Sequence, residues 1–259
     1  MMESPARVEI VTPTDELQWV RFAGSASATK ICMDGSAGPE AMLNRLESDR
    51  TIDPHFHRTA QFQLLIAGAM RFPGYRIEGV AVHYTDHCVP YGPFVPHGGQ
   101  EMLVAHARPG GVAFMKDKEV RKDINRRGRE LHGCEHEVQW QAVPQCPGAR
   151  RKVLLGSPGG PMTEIVELPA RGRLERTAAP HGRYELVLAG SGTINGQALS
   201  LRTLRFYRCA EADSPLVAGP QGLRVVVMTF DADAEISLGG SVAEDFKHFG
   251  EWSQQSRPD

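Results

Sequence analysis

The chain has 259 residues, 41% hydrophobic and 23% charged, and its 29 Lys and Arg against 31 Asp and Glu leave a net charge of −2. That length holds one large domain or two of roughly 100 to 130 residues, and near-neutrality leaves no overall field to steer the chain onto nucleic acid or an anionic membrane. No run approaches the ~18 apolar residues of a membrane span. The N-terminus shows no basic stretch followed by an apolar one, and five cysteines at irregular spacing (Cys32, Cys88, Cys134, Cys146, Cys209) suit reduced thiols. The expectation is a cytoplasmic protein without nucleic-acid or membrane partners.

In chain order, short segments rich in Val, Ile, Leu and aromatics run between Gly, Pro and Asp. Residues 76–84, 101–107, 163–168, 184–189 and 223–230 are of this kind, the pattern of many antiparallel strands in a sandwich or barrel. Residues 117–130 are charged and read as an exposed helix or loop. Residues 241–255 (SVAEDFKHFGEWSQQ) read as a serine-capped amphipathic helix.

The sequence repeats itself. Residues 62–68 are FQLLIAG and residues 184–190 are YELVLAG, an offset of 122. A second register, built on His181 and Glu185, gives an offset of 124. The repeat predicts two domains of one plan, divided between about residues 115 and 152, where Pro144 and Pro147 stand. The expected division is 1–115 for the N-terminal half and 116–150 for a charged junction, with 151–235 for the C-terminal half and 236–259 for a helix and tail.

His55 and His57 sit at i and i+2, so on a strand both imidazoles share one face and begin a metal site. The stretch His55-x-His57-x3-Gln61-x6-Gly68 resembles the first signature of the cupin superfamily, G-x5-HxH-x3,4-E-x6-G. Two departures stand out. The leading glycine is missing, and Gln61 occupies the place of the usual glutamate. The resemblance implies an all-β chain of two tandem cupin (double-stranded β-helix or jelly-roll) barrels with a short C-terminal helix. It also implies a mononuclear divalent transition metal, iron first and Mn, Ni, Zn or Cu as alternatives. The metal set is His55, His57 and Gln61 with a third imidazole from His83, His87 or His97, of which His87 is taken here. The expected chemistry is that of an oxygenase, isomerase or lyase acting on a small carboxylated or enolisable molecule, or else non-catalytic ligand sensing. Homodimers are common in the superfamily, and one is expected.

Where the second signature should follow, Tyr91 falls close to the place of its histidine and is taken with Gln63 as a catalytic or substrate-positioning residue. A neutral Gln61 leaves the site more positive than a carboxylate would, which favours anionic, bidentate ligands. The alternative is that Gln61 and Gln63 hydrogen-bond across the barrel. In the second copy no HxH pair exists, and only His181 and Glu185 stand where ligands might. That half is therefore expected to be metal-free and supporting. A rival cluster, His132, Cys134 and His136, has spacing that closes poorly around a tetrahedral ion and reads better as a strand at the junction.

Overall fold

The computed structural model describes residues 7–21, 27–36, 38–46, 50–156 and 158–240. Among them the chain is nearly all β. In chain order the strands of the first half are β1 (Val8–Pro13), β2 (Val20–Arg21), β3 (Ser27–Asp34), β4 (Glu40–Leu46), β5 (His55–His57), β6 (Gln61–Phe72), β7 (Tyr75–Glu78), β8 (Ala81–Thr85), β9 (Val95–His106), β10 (Val112–Phe114) and β11 (Glu130–Cys134). Then come β12 (Gln141–Ala142), β13 (Arg150–Leu155), β14 (Met162–Leu168), β15 (Arg173–Leu174), β16 (Ala178–Ile194), β17 (Gln197–Leu199), β18 (Thr203–Ala212) and β19 (Leu216–Thr229). Gly79, at φ +68°, splits the run 76–84 into β7 and β8. The charged stretch 117–130 holds one turn of 3-10 helix, Glu119–Asp123, and otherwise loop. The helix expected over 241–255 lies outside the described residues. No helix among the described residues is long and apolar enough to cross a membrane.

The chain forms two compact units. The first comprises Leu17–Cys134 with Asp233–Asp259, and the second Met1–Glu16 with Glu135–Ala232. In the first unit the antiparallel sheet runs β11-β8-β6-β9-β4-β3-β2, with β7 on β6, and a small sheet pairs β5 with β10. In the second unit the order is β1-β18-β16-β19-β14-β13-β12, with β17 on β16 and β15 on β19. The two orders match strand for strand, β11 standing where β1 stands. The second unit thus takes its outermost strand from the N-terminus, inside the stretch 1–115 that the sequence assigned to the other half. The step between Cys134 and Glu135 falls within the expected junction.

Period-two alternation gives each sheet a buried face with rows of side chains across it. In the first unit one row is Glu40–His106–Gln61–Thr85–Glu130, the next Met42–Val104–Gln63–His83–His132, and the third Asn44–Met102–Leu65–Ala81–Cys134. The third row joins the apolar cluster with Phe72, Ile77 and Phe94. The first row is polar throughout and the second is polar at Gln63, His83 and His132, so polar side chains lie beside an apolar floor. In the second unit Val166, Val187 and Val225 form the corresponding floor.

Candidate functional site

The signature residues come together on the buried face of the first unit. His55 and His57 lie on β5, which is buried throughout, and their ring centroids are 5.5 Å apart. Tyr91 faces His55 across an isolated β-bridge, with ring centroids 4.5 Å apart. His55 Nδ1 donates to the Asp53 carbonyl at 2.7 Å, which leaves the lone pair on Nε2. The Nδ1 of His57 is buried without any partner. Burial takes the His55 ring down to about 4, against the Asp53 hydrogen bond, which favours its proton. Burial, with His106 and His55 nearby, takes His57 well below the ordinary imidazole value. Both rings are therefore neutral near pH 7, the form that ligates metals.

The two glutamines act differently from metal ligands. Gln61 Nε2 donates to Thr85 Oγ1 at 3.2 Å and to Tyr91 Oη at 3.0 Å, while its Oε1 lies 3.3 Å from His106 Nε2. Gln63 Nε2 donates to Tyr91 Oη at 2.7 Å, and its Oε1 lies 2.9 Å from His83 Nδ1. Gln61 and Gln63 do hydrogen-bond across the buried face, and Tyr91 is where they meet. His83 is fully buried and reaches Glu130 Oε1 at 3.1 Å through Nε2. His87 stands half-buried in the turn after β8, its Nδ1 without a partner, and no ring or hydrogen-bond contact ties it to His55, His57 or Gln61. His97 lies near the start of β9, where its carbonyl lines the tight approach to Gly68.

Three residues of this site carried no signal in the motif: His106, Glu40 and Glu130. His106 ends β9 directly beside Gln61, its ring centroid 5.1 Å from that of His57, and its Nδ1 lies 3.0 Å from Glu40 Oε2. Its trace in the sequence is a histidine in phase with Val104 and Met102 at the end of the apolar run 102–105. Among the described residues no three His, Cys, Asp or Glu side chains form a group placed to hold a metal ion. The donors open to one are thus the two imidazoles of His55 and His57, and the orphaned His57 nitrogen is the observation that fits a ligand there. The rival cluster is taken apart: His132 stacks on Tyr75 at 4.1 Å, Cys134 is buried in β11, and His136 lies in a 3-10 turn.

In the second unit the same rows carry charge. Arg183 stands at the place of Gln61, and Glu185 at that of Gln63, opposite Arg205. The offset of 122 is therefore the structural one, and the 124 register, which aligned Glu185 with Gln61, falls. Glu185 bonds Arg176, Arg183 at 3.0 Å and Arg205 at 2.9 Å. Asp213 bonds Arg183 at 2.6 Å and Arg205 at 2.7 Å, and Glu9 on β1 bonds Arg205 at 2.6 Å. Burial alone would raise Glu185, but the guanidinium groups of Arg176, Arg183 and Arg205 outweigh it and hold the carboxyl at about 2. Glu185 is the hub of an ion-pair lattice, not a spare ligand beside His181.

No family model matches the chain, and no curated protein matches it. Its fold has many solved counterparts. A candidate dioxygenase from Nostoc punctiforme is 11% identical, with a TM-score of 0.65 over 87% of this chain and 84% of that one. Oxalate decarboxylase from Bacillus subtilis is 11% identical, with a TM-score of 0.61 over 86% of this chain and 77% of that one. A protein from Geobacillus kaustophilus is 12% identical, with a TM-score of 0.60 over 87% and 96%. At such identity the likeness shows the shared fold alone.

Proposed function

We propose that this chain of cupin fold is a metal-dependent enzyme whose centre lies at His55 and His57 and which acts on a small carboxylated or enolisable molecule. The observation that carries the reading is the His57 Nδ1 atom, buried without a hydrogen-bond partner beside a second neutral imidazole whose free nitrogen is Nε2. The neighbours in fold include the candidate dioxygenase and oxalate decarboxylase, the latter studied for its Mn(II) centres. We read each unit as one barrel of a tandem pair, with iron as the first metal to test. A divalent ion here would supply Lewis acidity to substrate oxygens. Two neutral imidazoles leave its charge uncompensated, so an anionic substrate adds both charge balance and coordination. The protein's share is to hold that substrate: Tyr91 directs its hydroxyl, and Gln61 and Gln63 fix the Tyr91 oxygen from two sides. An oxygenase, isomerase or lyase would use such a grip.

The test is elemental analysis of protein purified without a metal-affinity tag. About one equivalent of Fe, Mn or Ni supports the enzyme. A metal-free chain that still binds small carboxylates supports a sensing module instead. In the same reading the protein is a cytoplasmic homodimer, and a monomer mass by light scattering at micromolar concentration removes the dimer.

A further inference from the structure

Two files of side chains converge on one phenol. From one side, Glu40 Oε2 lies 3.0 Å from His106 Nδ1, His106 Nε2 lies 3.3 Å from Gln61 Oε1, and Gln61 Nε2 reaches Tyr91 Oη at 3.0 Å. From the other, Glu130 Oε1 lies 3.1 Å from His83 Nε2, His83 Nδ1 lies 2.9 Å from Gln63 Oε1, and Gln63 Nε2 reaches Tyr91 Oη at 2.7 Å. Each file is carboxylate, imidazole, amide. A phenolic oxygen accepts at two lone pairs and donates one proton. With both amides donating to it, its lone pairs are filled, and its own proton has no acceptor in either file.

An amide donates at one end and accepts at the other, so its neighbour dictates its orientation. The Glu130 carboxylate can only accept. When His83 carries one proton, that proton stays on Nε2 and Nδ1 becomes an acceptor. Gln63 must then turn its NH2 toward His83 and its carbonyl toward Tyr91, which donates to it. When His83 carries two protons, Nδ1–H donates to Gln63 Oε1, the NH2 returns to Tyr91, and the phenolic proton is released.

We infer that His83 is a positioning residue that decides where the Tyr91 hydroxyl points. With one proton it ties the phenol to Gln63; with two it frees the phenol to donate to an oxygen of an anionic ligand beside His55 and His57. The inference rests on reading this face as a ligand site, and it makes binding of a carboxylate or enolate oxygen at Tyr91 draw one proton onto His83. The groups facing His83 are Gln63 from β6, Glu130 and His132 from β11, Tyr91, and the Phe72 ring at 5.0 Å, with Tyr75 of β7 sharing Glu130. A charge on His83 in turn disfavours the proton of His55. Burial disfavours the second proton and Glu130 favours it, the balance lying below the ordinary imidazole value. At neutral pH without ligand the tied state prevails, with the Gln63 amide turned over at the same atom positions so that its carbonyl faces Tyr91.

The test is NMR on the full chain carrying [15N]histidine and [13Cζ]tyrosine, titrated down to the lowest pH at which circular dichroism shows the fold intact. Tyr91→Phe identifies the tyrosine signal. The expected result is an Nε2–H tautomer of His83 at high pH, a second proton at lower pH, and a Tyr91 signal that moves in step. Gln63→Leu, or Gln63→Met if that variant fails to fold, should leave His83 titrating and Tyr91 still. Glu130→Gln should move the His83 midpoint down by about one pH unit. A Tyr91 signal that ignores the His83 titration overturns the inference. So does a His83 that holds its single proton on Nδ1, or that takes no second proton while the chain stays folded. None of these measurements uses a ligand or metal, so a chain that binds neither defeats the proposed function without deciding this one.

Discussion

His83 and Arg205 hold one position in two copies of a single plan. Each lies on the strand next to the central one, opposite Gln63 in the first unit and Glu185 in the second. Each also meets a glutamate from the outermost strand, Glu130 on β11 for His83 and Glu9 on β1 for Arg205. The first copy fills this place with a titratable ring between an amide and a carboxylate. The second fills it with a fixed charge among three carboxylates, Glu9, Glu185 and Asp213. One arrangement can change its hydrogen-bond polarity; the other cannot.

Glu185→Ala should therefore be far more damaging than its distance from the histidine pair suggests. It leaves buried Arg176 without its carboxylate and takes one of their carboxylates from buried Arg183 and Arg205, and breaking a buried ion pair from one side costs roughly 3–5 kcal/mol. Urea denaturation followed by circular dichroism checks this. Gln63→Ala in the first unit leaves only neutral groups unpaired and should cost about 1–3 kcal/mol. Equal losses in the two variants would mean that the lattice is not held through Glu185.

Acid should release the second unit through the same carboxyl. Glu185 is held at about 2 when folded, against the ordinary glutamate value of 4.5. A group lowered on folding gives stability that is complete above its unfolded value and is lost as pH falls toward the folded one. The loss should fall between about pH 5 and pH 2 and amount to something on the order of 3 kcal/mol. Glu185→Gln should flatten that part of the stability profile. An unchanged acid limb would assign it to other carboxylates.

Glycines at the turn after the repeat should not tolerate alanine. Gly68 has φ +82°, and a Cβ there would lie 2.7 Å from the His97 carbonyl oxygen. Gly190 has φ +74°, and its Cβ would lie 2.2 Å from the Gly222 carbonyl oxygen. Both combine left-handed backbone with a backbone clash, so each alanine should cost about 2–4 kcal/mol. Gly74, at φ +90° with open space around it, pays only the conformational cost, about 1 kcal/mol. Thermal midpoints of the three variants should rank accordingly.

Changing His55 and His57 together to alanine should lower bound metal below about a tenth of an equivalent while far-UV circular dichroism stays unchanged. Gln61→Glu should raise metal affinity, because a carboxylate adds charge that the amide lacks. Full metal content in the double variant would move the site elsewhere.

Legible in the sequence were the strand-rich class, the presence of two copies of one plan and the pairing of His55 with His57. Alternation, glycine punctuation and an HxH spacing are local, and backbone geometry converts them directly into faces and turns. The matching strand orders bring out a further likeness: Leu17-Gln18-Trp19 and Val138-Gln139-Trp140 precede the corresponding strands β2 and β12. Each tryptophan there lies between two cations, Lys30 and Arg45 around Trp19, and Arg150 and Lys152 around Trp140. The tertiary structure alone decided the rest. Glu40 meets His106, His106 meets Gln61 and Glu130 meets His83 across long stretches of sequence, and only because rows run across paired strands, perpendicular to the chain. The move of β1 to the second unit is equally silent in sequence, since an edge strand is chosen by which sheet leaves its hydrogen-bonding groups unpaired. The role of Glu185 depended on three arginines that a motif reads as surface charge, and only burial turned them into its partners.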